Sequence, residues 1–93
     1  MVRNNMTAEL NGLLMTDRAA AHEHIREALD LPAYYGCNLD ALFDILTERN
    51  NPVSITVLHA EEIHRSLGNY ASALLKTLRE AAEKNPGLTV TVL

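Results

Sequence analysis

The chain has 93 residues, 47% of them apolar, with 12 Asp and Glu against 8 Lys and Arg and a formal net charge of −4. That length holds a single domain with one modest core. The acidic balance excludes a general nucleic-acid binder, which needs clustered Lys and Arg to neutralise phosphates. The lone cysteine, Cys37, excludes an internal disulfide and fits a reducing compartment.

No apolar run approaches the length of a membrane span. Met1 to Met6 lacks the apolar stretch of a secretory leader, so the expected location is cytoplasmic, with no membrane partner. Residues 1–5 read as a disordered N-terminal extension, which leaves 6–93 as the domain.

Met6–Leu10 alternates loosely and stops at Asn11-Gly12, a turn signal, which predicts a first strand. Thr16 before Asp17 suits a helix cap, and Ala21, Ile25, Ala28 and Leu29 give the following helix one apolar face. That helix runs to about Leu29, and Pro32 bars its continuation. A loop, Pro32-Ala33-Tyr34-Tyr35-Gly36-Cys37, leads to Asn38 as the next cap. From there Leu39, Leu42, Phe43 and Leu46 fall at helical spacing, to an end near Glu48 before Asn50-Asn51-Pro52. Val53–Leu58 is β-branched and apolar enough for a buried strand. Ala60–Leu67 reads as a short helix broken at Gly68. Asn69 is placed to cap a longer helix with a core stripe of Ala71, Leu74, Leu75, Leu78 and Ala82. Asn85-Pro86-Gly87 stops it, and Leu88–Leu93 is the last strand. Strands alternating with helices predict an α/β fold: a three-stranded parallel sheet packed with about four helices in one domain.

Charge is distributed unevenly along these elements. From Glu27 to Glu48 the acids Glu27, Asp30, Asp40, Asp44 and Glu48 occur with no Lys or Arg among them. Asp40, Asp44 and Glu48 stand four apart, so they stack as a row on one helix face, with no basic residue at i±3 or i±4. Like charges at that spacing cost a helix a few tenths of a kcal/mol per pair. The dipole offsets some of that for Asp40 in the first turn, but not for Asp44 in mid-helix. In the last helix, by contrast, Lys76–Glu80, Arg79–Glu83 and Glu80–Lys84 are opposite-sign pairs. An uncompensated row is either a solvated surface or a face that finds its compensation on a basic partner. Tyr34 and Tyr35, directly ahead of it, cannot both be buried if they alternate in direction, and tyrosine is favoured at interfaces.

The run Leu31-Pro32-Ala33-Tyr34-Tyr35-Gly36-Cys37-Asn38-Leu39-Asp40-Ala41-Leu42-Phe43-Asp44-Ile45-Leu46-Thr47 resembles the signature segment of the barstar family, intracellular inhibitors of secreted barnase-like ribonucleases. The similarity extends over nearly the whole chain, with Leu10-Asn11-Gly12 matching the end of the family's first strand and Leu78-Arg79-Glu80-Ala81 its last helix. The resemblance implies a barstar-like fold and a protein that is not an enzyme and needs no cofactor or metal. Its partner would be a small, basic, guanyl-specific ribonuclease rather than a nucleic acid, with a monomeric inhibitor favoured.

Carried residue by residue, the resemblance makes Asp44 the central anchor, its carboxylate occupying the phosphate position against the enzyme's Arg and His. An arginine fork grips either anion in the same bidentate way. Asp40 would meet the same cationic rim, Tyr34 would pack on the catalytic histidine and Thr47 would add a polar contact. Glu80 would reach a second basic residue, and Gly36, Asn38 and Leu39 would shape the docking loop. Phe43 stands where the family usually has Trp, keeping an aromatic wedge under the helix. Cys37 replaces a frequent acid, Glu48 a usual Gly, and Lys84 occupies a position that can be acidic. These departures point to a ribonuclease related to barnase but different from it.

Three other readings compete. Cys37 at a helix start, with four histidines available, has the elements of a cysteine enzyme or redox sensor, but the acid-rich surroundings oppose a thiolate and no oxyanion-hole motif is visible. His22 with His24, and His59 with His64, lack the i, i+4 spacing of a zinc helix, so all four read as surface or boundary residues. A non-inhibitory interaction module docking a different basic partner uses the same acidic face, and the sequence does not separate it from an inhibitor.

Overall fold

A computed structural model describes residues 6–93; the proposed extension, residues 1–5, lies outside the described residues. The elements are β1 (Met6–Asn11), a 3-10 turn (Gly12–Leu14), α1 (Arg18–Ala28), α2 (Leu39–Glu48), β2 (Val53–Leu58), α3 (Ala60–Leu67), α4 (Asn69–Lys84) and β3 (Leu88–Val92). The strands lie in the order β1-β2-β3, all parallel, with Met6 beside Val53 and Val53 beside Leu88. Two helices fill each connection between neighbouring strands, as parallel pairing requires of its crossovers. The expected three-stranded parallel α/β domain with four helices is the fold observed.

One core holds it together. Alternate residues Ala8 and Leu10 of β1, and Val53, Ile55 and Val57 of β2, are buried against Ile25, Leu29, Leu42, Leu46, Ile63, Leu74 and Leu78 of the helices. On α4 the fully buried stripe ends on Ala81, with Ala82 only partly covered. Gly12 is needed for more than a turn. A Cβ there would stand 2.2 Å from the His59 carbonyl oxygen and 2.8 Å from Ile63 Cγ1, so any side chain would push the 3-10 turn off α3.

Helix starts depart from the sequence expectations in two places, each for a local reason. α1 is capped by Asp17, not Thr16: Asp17 is the extended residue, and its Oδ1 accepts from Ala20 N at 2.7 Å. The end of α1, at Ala28 with Leu29 as its cap, agrees with the expected end near Leu29. Asp30 takes the left-handed conformation (φ 52), with Leu31 N donating to Arg26 O and Asp30 N to Glu27 O, a closure that satisfies the last carbonyls. Asn69 lies within α4 rather than capping it; Gly68, at φ 59 and ψ −132, precedes the helix in a conformation suited to glycine.

Candidate functional site

The loop ahead of α2 is held from inside. Tyr35 N donates to Pro32 O, closing a turn, and the Tyr35 ring is buried while neighbouring Tyr34 is 85% exposed. The Tyr35 hydroxyl lies 2.7 Å from Nδ1 of His22, whose Nε2 lies 2.6 Å from the hydroxyl of Tyr70 on α4. A neutral imidazole satisfies both contacts, donating its one N–H to one tyrosine oxygen and accepting the O–H of the other. His22 is therefore buried, contrary to its expected place at the surface or boundary, because both ring nitrogens have partners within the fold. Burial holds its pKa below the ordinary histidine value and pushes the Tyr35 and Tyr70 hydroxyls up. The other histidines are less enclosed: His24 is half-buried, its Nε2 accepting from Asn11 N, and His59 and His64 are exposed.

Cys37 follows in the left-handed region (φ 52), exposed, its Sγ donating to Tyr35 O at 3.6 Å. Asn38 then caps α2. Its Oδ1 accepts from Ala41 N at 2.8 Å and its Nδ2 donates to Gly36 O at 3.2 Å, so one side chain fixes both the loop and the first turn. Leu42 and Leu46 bury the inner face of α2, with Leu39 and Phe43 packed at its margin; Phe43 is a half-buried wedge.

The far end of α2 is clamped as well. Buried Asn85 donates to Leu46 O at 2.8 Å and Arg49 O at 3.1 Å, and its own Oδ1 accepts from Gly87 N. Arg49, the basic residue next to the acidic row, donates to Leu29 O at 3.1 Å and closes the end of α1. Asp40, Asp44 and Glu48 are all exposed. Among the described residues the ion pairs are Arg26–Glu23 and Arg65–Glu62, and none of the three acids is paired with another described residue. The Thr47 hydroxyl bends back, donating to Phe43 O and Asp44 O, which leaves its oxygen to accept. Glu80 is exposed on α4, the helix packed against α2. The α4 pairs expected to balance that surface do not close in the described structure. Lys76, Arg79 and Lys84 extend into solvent, where an ion pair returns too little to hold two long side chains.

The structure thus gathers Tyr34, Gly36, Asn38, Leu39, Asp40, Phe43, Asp44 and Thr47 onto one loop and helix. What sequence reasoning missed is their support: His22, Tyr70 and Asn85. Part of that signal is visible, since His22 precedes Ile25 and Leu29 on the apolar face of α1. The partner Tyr70 lies 48 residues away and has no local signature. Among the described residues no three His, Cys, Asp or Glu side chains gather as a metal site requires, and no helix is long and apolar enough to cross a membrane.

The fold defines a class: small one-domain α/β proteins with a three-stranded parallel sheet and four helices, here presenting an acidic helix beside an exposed tyrosine. The family model described as Barstar (barnase inhibitor) matches residues 5–93, and the chain belongs to the barstar family. It is similar to a Bacillus subtilis (strain 168) protein named "Putative ribonuclease inhibitor YrdF", at 39% identity over 64 residues, covering 68% of this chain and 70% of the relative. The family's description is that of an inhibitor, not of an enzyme.

Proposed function

We propose that this protein inhibits a small, cationic, guanyl-specific ribonuclease by seating α2 and the Tyr34–Asn38 loop in its active site, protecting the cytoplasm that produces both. Asp44 takes the position of an RNA phosphate, Asp40 and Glu80 meet basic residues around it, and Tyr34 packs on the catalytic histidine. The observation that carries this reading is the exposed Asp44 carboxylate, which has no cation beside it among the described residues. In water such a group is merely solvated. In a cleft lined with arginine it forms short, charge-assisted hydrogen bonds that the free protein does not offer it. Barstar-family membership and the named relative support the same reading. The departures at Phe43, Cys37 and Glu48 favour an enzyme related to barnase but not barnase itself. The test is to titrate the protein into a panel of small secreted guanyl-specific ribonucleases and follow RNA cleavage. Loss of cleavage at near-stoichiometric amounts is expected for at least one of them. Binding that leaves cleavage intact contradicts the reading and leaves an interaction module in its place.

A further inference from the structure

A cleft of ≈ 710 Å³ opens between the start of α1 and the start of α2, lined by Arg18, Tyr70, Cys37, Asn38, Leu39 and Asp40. Cys37, Asn38, Leu39 and Asp40 belong to the proposed docking loop and helix, and Arg18 and Tyr70 continue that face onto α1 and α4. The charged lining residues carry opposite signs: Arg18 is a cation and Asp40 an anion, yet neither is in an ion pair among the described residues. Arg18 is also unlike an ordinary surface cation. Its guanidinium lies over the Tyr70 ring, 4.2 Å from the centroid, and Tyr70 is itself fixed through its hydroxyl to buried His22.

We propose that this cleft is a specificity subsite that receives a carboxylate side chain of the inhibited ribonuclease on Arg18, while Asp40 engages a basic residue next to it. The inference rests on the inhibitor reading and deepens it. Stacking on an aromatic face holds the guanidinium plane and leaves its N–H edges free, and those edges match a carboxylate bidentately. The Tyr70–His22–Tyr35 chain fixes the platform in advance, so less side-chain freedom is lost on binding than a swinging lysine would lose. The subsite also discriminates. A ribonuclease that presents only cations here brings one of them against Arg18, and like charges held together in an interface exclude a partner as effectively as good contacts select one.

The sign of the effect makes the proposal testable. On an acidic inhibitor of a cationic enzyme, removing a positive charge improves long-range attraction, so general electrostatics predicts that Arg18→Gln binds faster and tighter. The subsite predicts the opposite for affinity. With a ribonuclease that the wild-type protein inhibits, Arg18→Gln is expected to dissociate roughly five- to fiftyfold faster, with association unchanged or slightly quicker, and Arg18→Glu is expected to lose more. Reversing the matching Asp or Glu of the enzyme to Lys should weaken the wild-type complex and restore binding to Arg18→Glu. Arg18 is exposed at the first position of α1, and circular dichroism checks that the variants fold. Arg18→Gln binding as tightly as wild type or tighter overturns the subsite. So does inorganic phosphate or a mononucleotide perturbing the Tyr70 resonance in the free protein and competing with the enzyme, which would make the cleft an anion site for a small ligand. Asp44→Ala serves as the control. Affinity lost there but unchanged in Arg18→Gln overturns the subsite alone, whereas affinity unchanged in Asp44→Ala overturns the docking of α2 through Asp44 on which the subsite rests.

Discussion

His22 carries more of the Tyr34–Asn38 loop than its place on α1 implies. Its two ring nitrogens bridge Tyr35 in the loop and Tyr70 on α4, so replacing it with Leu strands two tyrosine hydroxyls, one of them buried. A cost of about 2 kcal/mol is expected in urea unfolding at neutral pH, because an unpaired buried hydroxyl forfeits its hydration as well as its bond. Acid should act on the same residue. Burial depresses the His22 pKa in the fold below 6.5, so as pH falls the unfolded chain takes up the proton first. Stability is flat with respect to His22 above about pH 7 and declines from about pH 6.5 down to the folded value. Urea midpoints measured across that range should show the decline in the wild-type protein and a shallower one in His22→Leu; parallel curves would remove His22 from the account.

At the scale of elements, α2 is fastened at both ends by asparagine side chains. Asn38→Ala removes the cap and the tie to Gly36 and should cost about 1 kcal/mol. Asn85→Ala leaves the Leu46 and Arg49 carbonyls without their donor, at about 1–3 kcal/mol. Amide exchange should separate the two, quickening in the first turn of α2 for Asn38→Ala and around residues 49–53 and 85–88 for Asn85→Ala. Equal effects at both ends would contradict the assignment of one clamp to each. The Asn38 cap was legible because an Asx residue stood directly before an apolar periodic run. The Asn85 clamp was not, since Asn85-Pro86-Gly87 already explained itself as a helix stop, and a side chain reaching back 39 residues leaves no trace in local pattern. The shift of the α1 cap from Thr16 to Asp17 has the same origin: both residue types cap, and only the path of the chain leaving the 3-10 turn selects between them.

At the scale of the whole molecule the strands and helices were readable because Gly12, Pro52, Gly68 and Pro86 separate segments of clear period, and that alternation leads to a parallel sheet. The pairing register, and the approach of the 3-10 turn to α3 that demands Gly12, arise only from tertiary packing. The net charge of −4, with an unpaired acidic row on one face, has a kinetic consequence. Opposite fields steer encounter, so the association rate with a cationic ribonuclease should fall by about tenfold or more between low and high ionic strength while dissociation changes little. A salt-insensitive association rate would speak against electrostatic docking.

The most direct test lies with one carboxylate. Titrating wild type and Asp44→Ala against an inhibited ribonuclease, with urea unfolding of each inhibitor alongside, separates anchoring from folding. The Asp44→Ala complex is expected to weaken by several kcal/mol while the free protein stays as stable or gains a few tenths of a kcal/mol. An affinity that survives within about tenfold, or a loss of binding matched by a loss of fold, would contradict it.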